Sequence, residues 1–244
     1  MTHDANLLLL TLLAVAGLVA LVAWGKLHSF LALTLASLFM GAASGMKLPA
    51  VVDAFQEGVG GVLKSIAMVI GLGTVLGKLL AESGGAERVA NVLIAALGQR
   101  RLPWAMMLVG FVVGIPVFFS VGLVLLIPIL FTLTRQTGAP LLGFGIPLIA
   151  GLSVVHGLVP PHPGPMVAIG VLHADTGRTI LYSLLIGFPT AVIAGPLLAG
   201  WAGTREQVEP GGIGAQLALA PKRANQPGFT LSLLTILLPV GLML

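Results

Sequence analysis

The chain alternates long uncharged apolar runs with short polar breaks, and the lengths of those runs decide what they are. Residues 7–24 and 30–46 carry no charged side chain until Lys47. A helix rises about 1.5 Å per residue, so about 20 apolar residues cross the hydrocarbon layer. Both runs are predicted as membrane-crossing helices. They are joined by the short turn Gly25-Lys26-Leu27-His28. Residues 1–6 lack Lys and Arg, and the run behind them exceeds the length of a usual signal-peptide core, so 7–24 is predicted as the first span. Asp53, Glu57 and Lys64 introduce a third helix running to about Leu80. Gly71, Gly73 and Gly77 within it allow neighbours to approach closely. Lys64 and Lys78 bracket its centre and are expected to reach outward to the two interfaces. Glu82-Ser83-Gly84-Gly85 ends it. Residues 86–98, too short to span, are expected at the interface or as a half-helix.

Two later runs are longer than one crossing and are broken inside. Residues 102–133 are uncharged but interrupted by Gly114, Pro116, Gly122 and Pro128. Two half-helices meeting in a re-entrant hairpin fit this better than one helix. Residues 141–172 contain Pro160-Pro161-His162-Pro163-Gly164-Pro165. Proline lacks an N–H and clashes with the preceding turn, so continuous helix cannot pass through this stretch. A membrane helix broken near its middle is predicted. Unwound backbone at that depth survives only inside protein or beside a water-filled cavity. Residues 179–201 read as an uninterrupted span. The expected organisation is a membrane domain over 1–202, a polar linker over 203–228, and a further span begun at 229–244. The last run has no polar anchor after it, which suggests the front part of a longer protein or a truncated copy.

Composition agrees with this pattern and removes other classes. Apolar residues make up 57% of the 244 positions and charged residues 8%, against roughly 25% charged in a soluble domain. Too few charges remain to coat a water-facing surface. The fold class is all-α, a polytopic membrane protein. Cysteine is absent, which excludes disulfides and thiolate chemistry. The net charge of +4 is scattered, with no basic patch to suggest nucleic acid as a partner. Lys26 in the first turn favours a cytoplasmic turn and an outside N-terminus.

The candidate chemistry lies at the two breaks. Half-helix N-termini present free N–H groups and a positive dipole end, which suit a carboxylate. Paired broken elements of this kind mark substrate sites in secondary transporters. His156 and His162 are the only ionisable side chains between Arg135 and His173. Histidine gains or loses a proton near neutral pH, so either could bind an anion or relay protons. The bland readings are ordinary proline kinks and hydrogen-bonded neutral histidines packed in a bundle. No metal or other cofactor is expected: the histidine spacing is not the i, i+4 pair of a helical zinc motif, and no carboxylate lies nearby. Ser153 and His156 stand one turn apart, but no third group orients them for hydrolysis.

At these residues the sequence resembles the gluconate permease family, the gluconate:proton symporters of the ion transporter superfamily. The matching stretches are Gly71 through Arg88, Ile115 through Pro128 and His156 through Pro165. The resemblance implies the first half of an inverted-repeat transporter of the bacterial inner membrane. Residues 102–133 would be its re-entrant hairpin and 141–172 its broken helix. It also implies import of gluconate or a related sugar acid with protons, and a possible homodimer. Substrate would be held by Phe119, Ser120, Gly122, His156, His162 and Gly164, with His156 and His162 coupling the proton. Members usually carry Asp or Glu where this chain has Ser120. The alternatives are another organic anion on the same fold, such as a dicarboxylate or glycerate, or a fragment that does not transport. The chain is not expected to be an enzyme.

Overall fold

The computed structural model describes residues 3–202 and 226–244, so most of the expected 203–228 linker lies outside the described residues. The chain divides into two compact units, Met1–Lys64 and Ser65–Leu244. In the first, α1 (His3–Ala23) and α2 (Ser29–Ala43) pack on each other, and α3 (Leu48–Glu82) begins. Gly41 of α2 lets Val51 of α3 come close: a Cβ there would meet Val51 Cγ1 at 2.7 Å. Leu8, Leu12, Phe30 and Leu48 are among many large apolar side chains left exposed. Such a surface suits lipid rather than water.

The second unit is built around α5 (Leu102–Gly114) and α7 (Leu141–Leu158). Helix α5 is apolar on every side and buried on most, as expected of a helix enclosed by others. The most apolar part of 141–172 is 50% buried, against 22% for Phe119–Thr137 and 28% for Thr176–Ala202, so α7 is the other central element. Lipid tails are as apolar as leucine, so such helices gain little by hiding from lipid and associate by close packing. Here that packing is backbone to backbone. A Cβ on Gly110 would meet the Leu148 carbonyl oxygen at 2.5 Å, and one on Gly151 would overlap Met107 O and lie 2.7 Å from Phe111 N.

The remaining elements surround this pair. Helix α4 (Gly85–Leu97) buries Gly85, Ala86, Val89 and Ala90 and packs on α5 and on the last helix. It is joined to α5 through the single 3₁₀ turn Gln99–Arg101 and a bend of 107°, so it behaves as a packed half-helix. Helix α6 (Phe119–Thr137) follows the first break and ends at Gly138, whose φ of +67° a residue with a side chain would adopt only with strain. Helix α8 (Pro163–Leu172) follows the second break. Helix α9 (Thr176–Val192) starts at Asp175, whose carboxylate accepts the Arg178 N–H at 2.7 Å. It continues through one π turn, Ile193–Leu197, into α10 (Leu198–Ala202), and α11 (Phe229–Met243) closes the described chain.

Among the described residues four helices are long and apolar enough to cross a membrane, or six if each bent pair counts as one span. The spans predicted at 7–24, 141–172 and 179–201 appear among them, whereas the 30–46 and 229–244 runs form apolar helices of only 15 residues, Ser29–Ala43 and Phe229–Met243, and the 102–133 run differs in where it breaks. The helix stops only at Ile115–Phe118. Gly122 and Pro128, read as further interruptions, sit inside a continuous α6 of 19 residues. Proline within a membrane helix is tolerated, and here it withdraws a single donor, from the Val124 carbonyl, while the helix continues. Thr132 Oγ1 donates to the Pro128 carbonyl at 2.7 Å, and the buried Thr134 Oγ1 donates to Leu130 at 3.0 Å. Among the described residues no buried side-chain nitrogen or oxygen lacks a hydrogen-bond partner.

Candidate functional site

The two breaks meet. Pro116 has no N–H to offer the Val112 carbonyl, which takes the Ile115 N–H at 3.3 Å instead, and α5 ends. The Gly114 carbonyl is then free of the ladder. His162, in the second break, fills the vacancy: its Nε2 lies 2.9 Å from Gly114 O across 48 residues of sequence. His156, in the last turn of α7, lies with its Nδ1 3.1 Å from His162 Nδ1. His162 is 3% exposed and His156 half-buried. Phe118, at the start of α6, stands edge-on to both rings, with centroids 6.0 Å from His156 and 5.8 Å from His162.

These distances fix the protons. A carbonyl oxygen only accepts, so His162 Nε2 carries a hydrogen and donates it to Gly114. In a neutral ring the other nitrogen is then an acceptor. His156 Nδ1 must therefore donate to His162 Nδ1. One lone pair of the pair is left over, on His156 Nε2.

Four helix ends surround the histidines, in two kinds. Helices α5 and α7 point their C-termini at the pair, and the negative end of a helix dipole favours a cation. Helices α6 and α8 start here, with N–H groups outward. Their donor sets differ. In α6 the N–H groups of Phe119, Ser120 and Val121 have no intrahelical acceptor, the first internal bond being Gly122 N–H to Phe118 O. In α8 the first three positions are Pro163, Gly164 and Pro165, and Met166 already donates to His162 O. Proline fits a first turn but removes donors, so Gly164 alone supplies a free N–H.

The sequence-predicted residues are thus placed unequally. His156, His162 and Phe119 come together, Phe119 with its ring centroid 6.4 Å from that of His156. Ser120 is exposed at the start of α6. Gly164 is exposed and borders, with Gly157, a cavity of about 260 Å³ between α7, α8 and α9. Gly122 is buried against α7, where a Cβ would meet Leu152 Cδ2 at 2.8 Å. It is a packing position. A larger cavity of about 470 Å³ in the first unit is lined by Ser37, Phe55, Val59 and neighbours without any titratable side chain. It offers little to recognise an acid. Sequence reasoning gave no role to the Gly114 carbonyl or to Phe118. The signal for the former was Pro116, which guarantees a freed carbonyl nearby. Among the described residues no group of three or more His, Cys, Asp or Glu could hold a metal ion.

A polytopic helical bundle with two broken elements converging on buried ionisable groups is the architecture of a membrane permease. The comparisons agree: the family described as GntP family permease matches residues 6–244, and the chain belongs to that family. It is 50% identical to a gluconate permease of Pseudomonas aeruginosa over 100% of this chain and 54% of the relative. It is 48% identical to a gluconate permease of Zymomonas mobilis over 99% of this chain and 54% of the relative. It is 42% identical to a D-serine transporter of Escherichia coli over 90% of this chain and 49% of the relative. No solved structure matches the chain. The chain spans about half the length of the curated relatives it matches. The family and these relatives are permeases, not enzymes, and the chain is a multi-pass bacterial membrane protein.

Proposed function

We propose that this chain supplies one half of the substrate site of a proton-coupled permease for gluconate or a related sugar acid. The observation that carries the reading is the His156–His162 pair, bonded to the Gly114 carbonyl and set between two helix breaks. A carboxylate is recognised by N–H groups at helix N-termini. The unengaged N–H groups of Phe119, Ser120 and Val121 form the larger donor set, with the Gly164 N–H and the Ser120 hydroxyl beside them for substrate hydroxyls. The helix C-termini of α5 and α7 suit the opposite task, holding a proton on the histidines. Anion and cation then have separate seats within one site, which is what symport of an acid with a proton requires.

The reading keeps the 102–133 hairpin as re-entrant, keeps protons as the coupling ion, and carries a homodimer on the resemblance alone. Gluconate is favoured because two of the relatives above bear that name. The D-serine transporter favours a second reading, a different small carboxylate on the same donors. Uptake of labelled gluconate into cells lacking other permeases tests the proposal. Competition by L-idonate, D-serine, glycerate and a dicarboxylate ranks the substrates. pH-dependent uptake that persists unchanged in His162→Ala would remove the role given to His162.

A further inference from the structure

We infer that His156 and His162 act as one acceptor for a single proton, which enters at His156 Nε2, and that His162 is a positioning residue holding that nitrogen ready. The inference rests on the permease reading for its purpose, but on the bond pattern alone for its content.

The tautomers follow from Gly114. With His162 Nε2–H committed to the Gly114 carbonyl and His156 Nδ1–H committed to His162 Nδ1, both contacts are spent. Only His156 Nε2 has a lone pair to offer. A proton arriving there forms an N–H bond and makes His156 an imidazolium, with neither existing hydrogen bond disturbed. The charge can then pass on without a new partner: the Nδ1–H bond of His156 breaks, the proton joins His162 Nδ1, and His162 becomes the imidazolium. His156 is left neutral with its hydrogen on Nε2. Atoms and charge balance throughout. In the second state His162 still donates to Gly114, now as a charge-assisted bond at the C-terminus of α5.

A second proton has no such route. With both rings charged, each Nδ1 would carry a hydrogen, and two N–H groups would face each other across 3.1 Å. The hydrogen bond is lost and replaced by repulsion between like charges, so the rings must separate. Sites coupled this strongly titrate as a pair rather than one by one. Among the described residues, the helices that meet at the pair bring no other titratable side chain to it. Helices α5 and α8 carry no titratable side chain, and α7 carries only His156. Helix α6 carries only Arg135, in its last turn, away from Phe119. Lys78 and Glu82 of α3 are exposed and paired with each other at 3.8 Å, and Arg178 and Tyr182 of α9 are exposed.

The test is nitrogen-15 spectroscopy of the chain in lipid nanodiscs with labelled histidine, followed through about pH 8 to 5, the range in which histidine changes charge. His156→Gln and His162→Gln assign the signals. Expected are an Nε2–H tautomer for His162 and an Nδ1–H tautomer for His156 at the alkaline end. On acidification the pair takes up about one proton per chain, appearing first at His156 Nε2. In His162→Gln, His156 becomes a mixture of tautomers, which a purely structural role would not produce. An Nδ1–H tautomer for His162, or two protons taken up independently, overturns the inference. These readings need no transport. Correct tautomers without any uptake in cells would remove the permease reading and leave the acceptor in place; normal uptake with the wrong tautomers would do the reverse.

Discussion

Replacing Gly151 by alanine is expected to damage the molecule far more than one methyl group suggests. Helix propensity alone favours alanine by roughly 1 kcal/mol. The new Cβ, however, would overlap the Met107 carbonyl oxygen and lie 2.7 Å from Phe111 N, and both are backbone atoms. No side chain can rotate away. To restore even the 3.4 Å at which ordinary contact begins, the Phe111 N contact alone requires α5 and α7 to part by about 0.7 Å at their crossing, and the Met107 carbonyl requires more. Overpacking of this kind costs about 1–3 kcal/mol. The displacement also travels, because Gly114 lies one turn beyond Gly110 on α5 and its carbonyl holds His162 at 2.9 Å. Added to that length, most of the shift would take the contact past hydrogen-bonding range. The assay is thermal unfolding of the purified chain in detergent, with Gly143→Ala as the control. Gly143 is on the same helix and has open space around its Cβ position. Gly151→Ala should lower the Tm by several degrees, at about 2–4 °C per kcal/mol, and Gly143→Ala should not. Equal stability of the two variants would refute the close-packing account of the α5–α7 pair.

Three further outcomes are expected. Gly122→Ala should cost less than Gly151→Ala in the same unfolding assay, because its one overclose contact is with the tip of the Leu152 side chain, which can rotate. Asp175→Ala should destabilise by about 1 kcal/mol through loss of the cap on Arg178 N–H, and Asp175→Asn should recover most of it in the same measurement. Gly164→Pro should weaken substrate uptake several-fold as a rise in KM, whereas Gly164→Ala, which keeps the N–H and meets open space, should leave KM near the parent value.

Much of this was legible in the sequence because membrane helices obey one strict rule: their backbone must be satisfied internally. Uncharged runs longer than a crossing, cut by proline, could only be broken elements, and the stretch from Pro160 to Pro165 breaks where proline chemistry says it must. Of the four interruptions read in 102–133, only Gly114 and Pro116 mark the other break. Gly122 and Pro128 misled because both residues are compatible with a membrane helix, and for Gly122 only the packing on Leu152 shows why it is kept there. The donor count at α8 was readable in principle, since Pro163 and Pro165 are visibly without N–H groups. The bond from His162 to Gly114 was not readable at all. It joins positions 48 apart, and which orphan carbonyl receives a buried imidazole depends on how α5 and α7 cross.

The central claim is that a carboxylate and a proton share a site built on the two breaks around His156 and His162. The measurement that tests it most directly is gluconate uptake as a function of an imposed proton gradient. It is made in cells lacking other gluconate permeases and expressing the reading frame that encodes this chain, with His156→Gln beside the parent. The account predicts uptake that rises with the inward proton gradient in the parent and a loss of that gradient dependence in the variant. Gluconate uptake with undiminished gradient dependence in His156→Gln would contradict it.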